Sequence, residues 1–177
     1  MKKFNNLIIL GPLVYAIHHF EEHIIFNFRE WRLKYFFDNN NIPTEAILCI
    51  LISILLLSVF FHLFLRNKTT SHIVLFFLMA TQVVNAGFHI FFSLYYYDFS
   101  PGTITAIFLY IPLNFLIIQS AIREGLLKNY SQIIFIFFLG LSSFTLFELI
   151  GPGVGPIFIL MCIIYYLWMT KSSPSKL

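Results

Sequence analysis

Charged side chains are scarce in this 177-residue chain, at 11% of positions, with 8 acids against 11 bases. A soluble domain carries about 25%. So few charges cannot cover a water-soluble globule of this length, which excludes a soluble enzyme, a disordered tail and a nucleic-acid binder. The bases fall mostly between apolar runs, so the net charge of +3 marks topology and no phosphate-binding patch. Cysteine is nearly absent. Cys49 and Cys162 each sit inside an apolar run, which argues against a disulfide framework. What fills the chain is hydrophobic: 59% of residues, 23 of them Phe, with a mean hydropathy of +0.83. These values indicate an integral membrane protein, a single transmembrane domain over residues 1–177.

Six runs are long enough to cross a bilayer, which takes roughly 17–25 mainly apolar residues. They are Phe4 to Phe28, Thr44 to Leu65, Ser71 to Tyr97, Pro101 to Ala121, Ser131 to Leu149 and Val154 to Thr170. The breaks carry turn chemistry, including Asp38-Asn39-Asn40-Asn41, Arg66-Asn67-Lys68 and Asp98-Phe99-Ser100-Pro101-Gly102. The N-terminal run lacks a small-x-small cleavage site and continues into ionisable residues, so it reads as a span and not as a leader. The expected fold is all-α, a polytopic bundle of about six helices.

With six spans both termini share one side. That side holds Lys2, Lys3, Arg66, Lys68, Arg123, Lys128, Lys171 and Lys176, against Arg29, Arg32 and Lys34 on the other. The positive-inside rule places both termini in the cytoplasm of a multi-pass cell-membrane protein. The Ile, Phe and Asn bias suggests a bacterial source. Residues 29–41 mix aromatics with bases, the pattern of an interfacial helix or loop. Residues 171–177 form a short polar tail.

Ionisable groups inside a span cost on the order of 2.5–3.5 kcal/mol each on insertion scales, and they generally face a cavity. This chain concentrates them. The first span carries His18, His19, Glu21, Glu22 and His23; the third carries Gln82, Asn85, His89 and Ser93; the fifth ends in Glu148. At about 100° per residue, Glu22 falls roughly 40° from His18, with Glu21 roughly 60° to the other side. His19 and His23 make a separate pair on an adjacent face. Gln82, Asn85, His89 and Ser93 share an arc of roughly 80°. At about 1.5 Å per residue, His18, Glu22, His89 and Glu148 reach a common depth roughly 21–27 Å from the cytoplasmic ends. His62 and His72 lie at the opposite end.

Two imidazoles, a carboxylate and an amide oxygen from facing helices make a mixed N/O ligand set. His18, Glu22, Asn85 and His89 are the candidate metal ligands. Such a set suits Zn²⁺ first, with Mn²⁺ or Fe²⁺ as alternatives. Glu21, Glu22 and His18 are the candidate catalytic groups, with Glu21 as general base. Thr105, Arg29 and Gln82 are candidate substrate contacts. The same His and Glu residues also permit metal-free proton transfer.

His18-His19-Phe20-Glu21-Glu22 resembles the signature of the HXXEE family of small membrane proteins. Asn85-Ala86-Gly87-Phe88-His89 resembles that family's Asn-x-x-x-His motif, and Pro101-Gly102-Thr103-Ile104-Thr105 its Pro-Gly-x-x-Thr motif. The resemblance spans residues 18 to 105 and marks His18, Glu21, Glu22, Asn85, His89, Pro101, Gly102 and Thr105. It implies no established reaction.

The leading expectation is a membrane enzyme performing metal-assisted hydrolysis or transfer on a lipid or lipid-linked amphiphile near the outer leaflet. The alternatives are a metal-free isomerase or cyclase of a lipid or terpenoid, a proton- or metal-coupled transporter, and a non-catalytic lipid-binding or immunity protein. The inner halves of the spans offer few ionisable groups for a through-path, which weighs against transport.

Overall fold

The computed structural model describes residues 3–37, 42–127 and 129–172, and among them every regular element is helical. The first rod is built from α1 (Lys3–Ile8), α2 (Leu10–Phe20) and a π turn, Glu21–Ile25. Its break at Ile9 has a local cause. Pro12 has no N–H to give the Ile8 carbonyl, so the ladder opens one turn before it. A short α3 (Phe28–Tyr35) follows, then the uninterrupted α4 (Thr44–Leu65). The third rod, Lys68–Tyr95, joins α5 (Lys68–Leu78) and α6 (Asn85–Tyr95) through a π turn, Met79–Val84. The fourth, Thr103–Arg123, joins α7 (Thr103–Thr105) and α8 (Ile111–Arg123) through another, Ala106–Tyr110. There Pro112 lacks the N–H that would reach Phe108, and the helix widens. The chain ends with α9 (Tyr130–Ile150) and α10 (Gly155–Ser172).

Five of these rods are long and apolar enough to cross a membrane. The first rod makes the bundle one of about six, with its proline and π turn dividing it into shorter pieces. The expected spans agree with the observed ones to within a few residues. Asparagines cap the starts of α3, α5 and α9. Asn27, Asn67 and Asn129 accept from the backbone N–H of Glu30, Thr70 and Gln132 at 3.2, 2.9 and 3.1 Å.

The third rod is central, with 56% of its apolar stretch buried, whereas Tyr130–Ile150 and Pro152–Met169 bury only 17% and 6% of theirs. Such exposed Phe, Ile and Leu faces suit acyl chains. Gly140 brings α9 against the π turn of the third rod. A Cβ there would lie 3.0 Å from both Ala80 N and Met79 Cβ. At the end carrying the termini, the Phe4 amide donates to Glu124 at 2.8 Å, His62 is held by Thr70 and Asn5, and His72 by Tyr165. Neither histidine belongs to the cluster at the opposite end.

The expected interfacial segment is α3. Trp31 and Phe28 pack against Phe88, while Tyr35 stacks on Tyr96 at 3.9 Å, so α3 lies across the third rod. The Tyr35 hydroxyl donates to Asp98 at 2.9 Å, and that bond raises its pKa above the ordinary tyrosine value. Residues 38–41 and 173–177, parts of the expected loop and polar tail, lie outside the described residues.

Candidate metal centre

The site is assembled around one turn of backbone. In Ser100-Pro101-Gly102-Thr103, the Thr103 amide donates to the Ser100 carbonyl at 3.1 Å, and Gly102 has φ 98° and ψ −15°. This is a type II turn, with Pro at its second position and Gly where φ must be positive. Its Gly also meets the site directly. A Cβ at Gly102 would lie 2.8 Å from His18 Cε1, 3.0 Å from His89 Cε1 and 3.1 Å from Glu22 Cγ. The Pro-Gly pair therefore shapes the turn and clears space for three ionisable side chains.

Glu21 fixes this turn to the first rod. Its Oε1 accepts from the Gly102 and Ile104 amides at 3.1 Å each, and its Oε2 from the Thr105 amide at 2.7 Å. These N–H groups open the fourth rod and have no partner within the helix. The carboxylate expected as a base thus has both oxygens engaged by backbone.

Glu22 points into the gap between the first and third rods. Its Oε1 lies 3.5 Å from His18 Nε2 and 3.0 Å from His89 Nε2. Both imidazoles are fully buried, and Glu22 is 2% exposed. On the far side of each ring, Nδ1 meets a hydroxyl. His18 Nδ1 is 2.8 Å from Thr105 Oγ1, and His89 Nδ1 is 3.0 Å from Ser100 Oγ. The Thr105 hydroxyl donates to the Gly102 carbonyl, so its lone pair takes the Nδ1–H of His18. That leaves Nε2 of His18 as an acceptor. Neither Nε2 has a hydrogen-bond partner among the described residues. The His18 Nε2 lone pair and the carboxylate oxygen repel at this separation unless a cation or proton lies between them. The hydroxyls behind the rings match the outer-shell partners that orient metal-bound histidines.

The other carboxylate oxygen serves a second pair. Glu22 Oε2 accepts from His19 Nδ1 in a close contact and lies 3.6 Å from His23 Nε2. The sequence pattern assigned the two histidine sets to separate faces. Glu22 stands between them and touches both.

A cavity of about 180 Å³ opens beside this second pair. His19, Glu22, His23, Asn85, Arg29, Arg32 and Glu148 supply its polar wall, and residues such as Leu51, Phe77 and Phe144 its apolar one. Asn85 faces this space, and its buried Oδ1 has no hydrogen-bond partner. Arg29 is exposed on the same wall. Arg32 donates to Glu148 from Nη2 at 3.1 Å, an ion pair between α3 and α9. Gln82 lies elsewhere. Its Nε2 donates to the Gly11 carbonyl at 2.8 Å and its Oε1 accepts from Asn114 at 2.8 Å, which joins three rods below the site. The expected common stripe of Gln82, Asn85 and His89 assumed an uninterrupted α-helix. The π turn Met79–Val84 interrupts it: Gln82 and His89 both turn toward the first and fourth rods, whereas Asn85 faces the cavity.

Sequence reasoning did not single out Ser100 or Tyr110. Ser100 is a hydroxyl directly before the Pro-Gly turn, and that position is its one signal. Tyr110 packs on His18 with ring centroids 4.3 Å apart, and Tyr15 meets His19 edge-on at 4.2 Å.

No curated protein and no solved structure matches the chain. A family model does match, over residues 9–117, and this interval contains all three motifs that build the centre. The chain belongs to that family, described as "Protein of unknown function with HXXEE motif".

Proposed function

We propose that the protein is an integral-membrane enzyme that uses a divalent cation for hydrolysis or group transfer on a lipid or lipid-linked amphiphile. His18 Nε2, His89 Nε2 and Glu22 Oε1 are the ligands. Two imidazoles with one carboxylate form a common catalytic zinc set, with the fourth position left for water or a substrate oxygen. The observation that carries this reading is the meeting of two partnerless Nε2 atoms on one carboxylate oxygen, with both Nδ1 atoms backed by hydroxyls.

The cavity supports the substrate class. Its apolar wall suits an acyl or prenyl chain, and Arg29 supplies positive charge for an anionic headgroup. In hydrolysis, water would add its hydroxyl to the acyl or phosphoryl group, and the leaving alcohol would take the remaining proton. Glu21 would act at one remove, holding the Pro-Gly turn against the ligands. Asn85 would contribute its amide oxygen from the cavity wall.

A metal-free isomerase or cyclase is the second reading. The close His19–Glu22 contact favours it, because it joins an acid and a base beside the cavity.

Metal analysis separates the two. The protein would be purified in detergent, loaded with Zn²⁺, desalted and measured by inductively coupled plasma mass spectrometry, alongside His18→Ala and His89→Ala. Bound zinc in the wild type, reduced in both folded variants, supports the metal enzyme. A folded wild type that retains no zinc overturns it in favour of proton transfer.

A further inference from the structure

We propose that Glu22 bridges two metal ions, the second held by His19 Nδ1 and His23 Nε2 on the cavity wall. The inference rests on the His18–Glu22–His89 group being a cation site, and it extends that site by one ion.

Geometry carries it. The candidate ligand atoms of His19, Glu22 and His23 lie within 4.8 Å of one another, as do those of His18, Glu22 and His89. The two groups share a residue but divide its oxygens: Oε1 faces His18 and His89, and Oε2 faces His19 and His23. A carboxylate used in this way is a bridging ligand, and metal pairs in enzymes typically sit about 3.5–4 Å apart. The rings of His19 and His23 stack one turn apart, with centroids 5.7 Å apart and planes 18° from parallel. Both therefore face the same side of the rod. His19 Nδ1 now donates to Oε2, and a cation would displace that proton.

The two positions differ in access. His18 and His89 are fully buried, whereas the side chains of His19 and His23 are 15% and 20% exposed and line the cavity. The inner ion is enclosed behind Glu22 and the Pro-Gly turn. The outer ion faces the space where a ligand would enter. Two dications around one carboxylate leave positive charge directed at that space, on the same wall as Arg29. This arrangement selects an anionic headgroup, a phosphate or carboxylate, that completes the outer ion's ligands.

The test is manganese titration of the detergent-purified protein, read by electron paramagnetic resonance and by metal content. The wild type is expected to bind two Mn²⁺ per chain and give a spin-coupled spectrum. His19→Gln and His23→Gln, each checked for fold by circular dichroism, are expected to bind one Mn²⁺ with an uncoupled six-line spectrum. Glu22→Gln is expected to lose both ions. A wild type that binds one uncoupled ion overturns the bridged pair and leaves the inner site standing. Folded His19→Gln and His23→Gln variants that still bind two coupled ions also overturn it. A wild type that binds neither manganese nor zinc overturns the pair together with the metal enzyme.

Discussion

Replacing Gly102 by Ala probes the centre through a residue that ligates nothing. The backbone there has φ 98°, and the new Cβ would stand 2.8 Å from His18 Cε1, 3.0 Å from His89 Cε1 and 3.1 Å from Glu22 Cγ. A non-glycine residue in a left-handed conformation costs about 1–2 kcal/mol. Overpacking a close-packed interior by one methyl costs about 1–3 kcal/mol more. Together these give about 2–5 kcal/mol. Rotating the rings away relieves the contact but separates their Nε2 atoms from Glu22. The strain therefore falls on metal affinity as well as on stability, and each 1.4 kcal/mol is about a tenfold change in binding. Zinc affinity, measured by competition with a chromophoric chelator in detergent, is expected to fall at least about tenfold, with a lowered melting temperature. A folded Gly102→Ala protein that binds zinc as tightly as the wild type would refute the placement of the turn against the ligands.

Thr105→Val removes the hydroxyl behind His18 Nδ1 at nearly constant volume. Zinc affinity should drop about 10–100-fold, as for other outer-shell partners, in the same competition assay. Glu21→Gln disrupts three charge-assisted bonds from the Gly102, Ile104 and Thr105 amides, each worth about 1.5–3 kcal/mol. A marked fall in melting temperature is expected even without metal, and an unchanged one contradicts the role assigned to Glu21. Gln82→Leu removes the bonds to the Gly11 carbonyl and the Asn114 amide, which keeps its bond to the Tyr110 carbonyl, and should cost about 1–3 kcal/mol by thermal denaturation while leaving metal stoichiometry at the wild-type value. Arg32→Ala leaves Glu148 without this ion pair between α3 and α9, and faster proteolysis around α3 is the expected readout.

The spans were readable from sequence because each is one apolar run closed by Asn, Pro, Gly or a cluster of charge, and Thr44–Leu65 coincides with its expected bounds. His18, Glu22 and His89 were readable because ionisable groups inside a bilayer demand partners, and two rods bring these to the same depth. The π turns were not readable. Hydropathy does not report them, yet Glu21–Ile25 and Met79–Val84 lie where the polar residues sit. An α-helical wheel therefore grouped Asn85 with Gln82 and His89, and placed His19 and His23 on a face beside that of Glu22. The use of Glu21 was hidden for another reason. Its partners are backbone amides of a distant turn, and a side-chain pattern carries no trace of them.

The most direct test of the metal centre is zinc K-edge X-ray absorption on the detergent-purified protein loaded with Zn²⁺. Nitrogen and oxygen scatterers at about 2.0–2.2 Å are expected, with the outer-shell pattern of about two imidazoles per zinc, weakened in His18→Ala and His89→Ala. Zinc surrounded by water oxygens alone, or by sulfur from Cys49 or Cys162, would contradict the account.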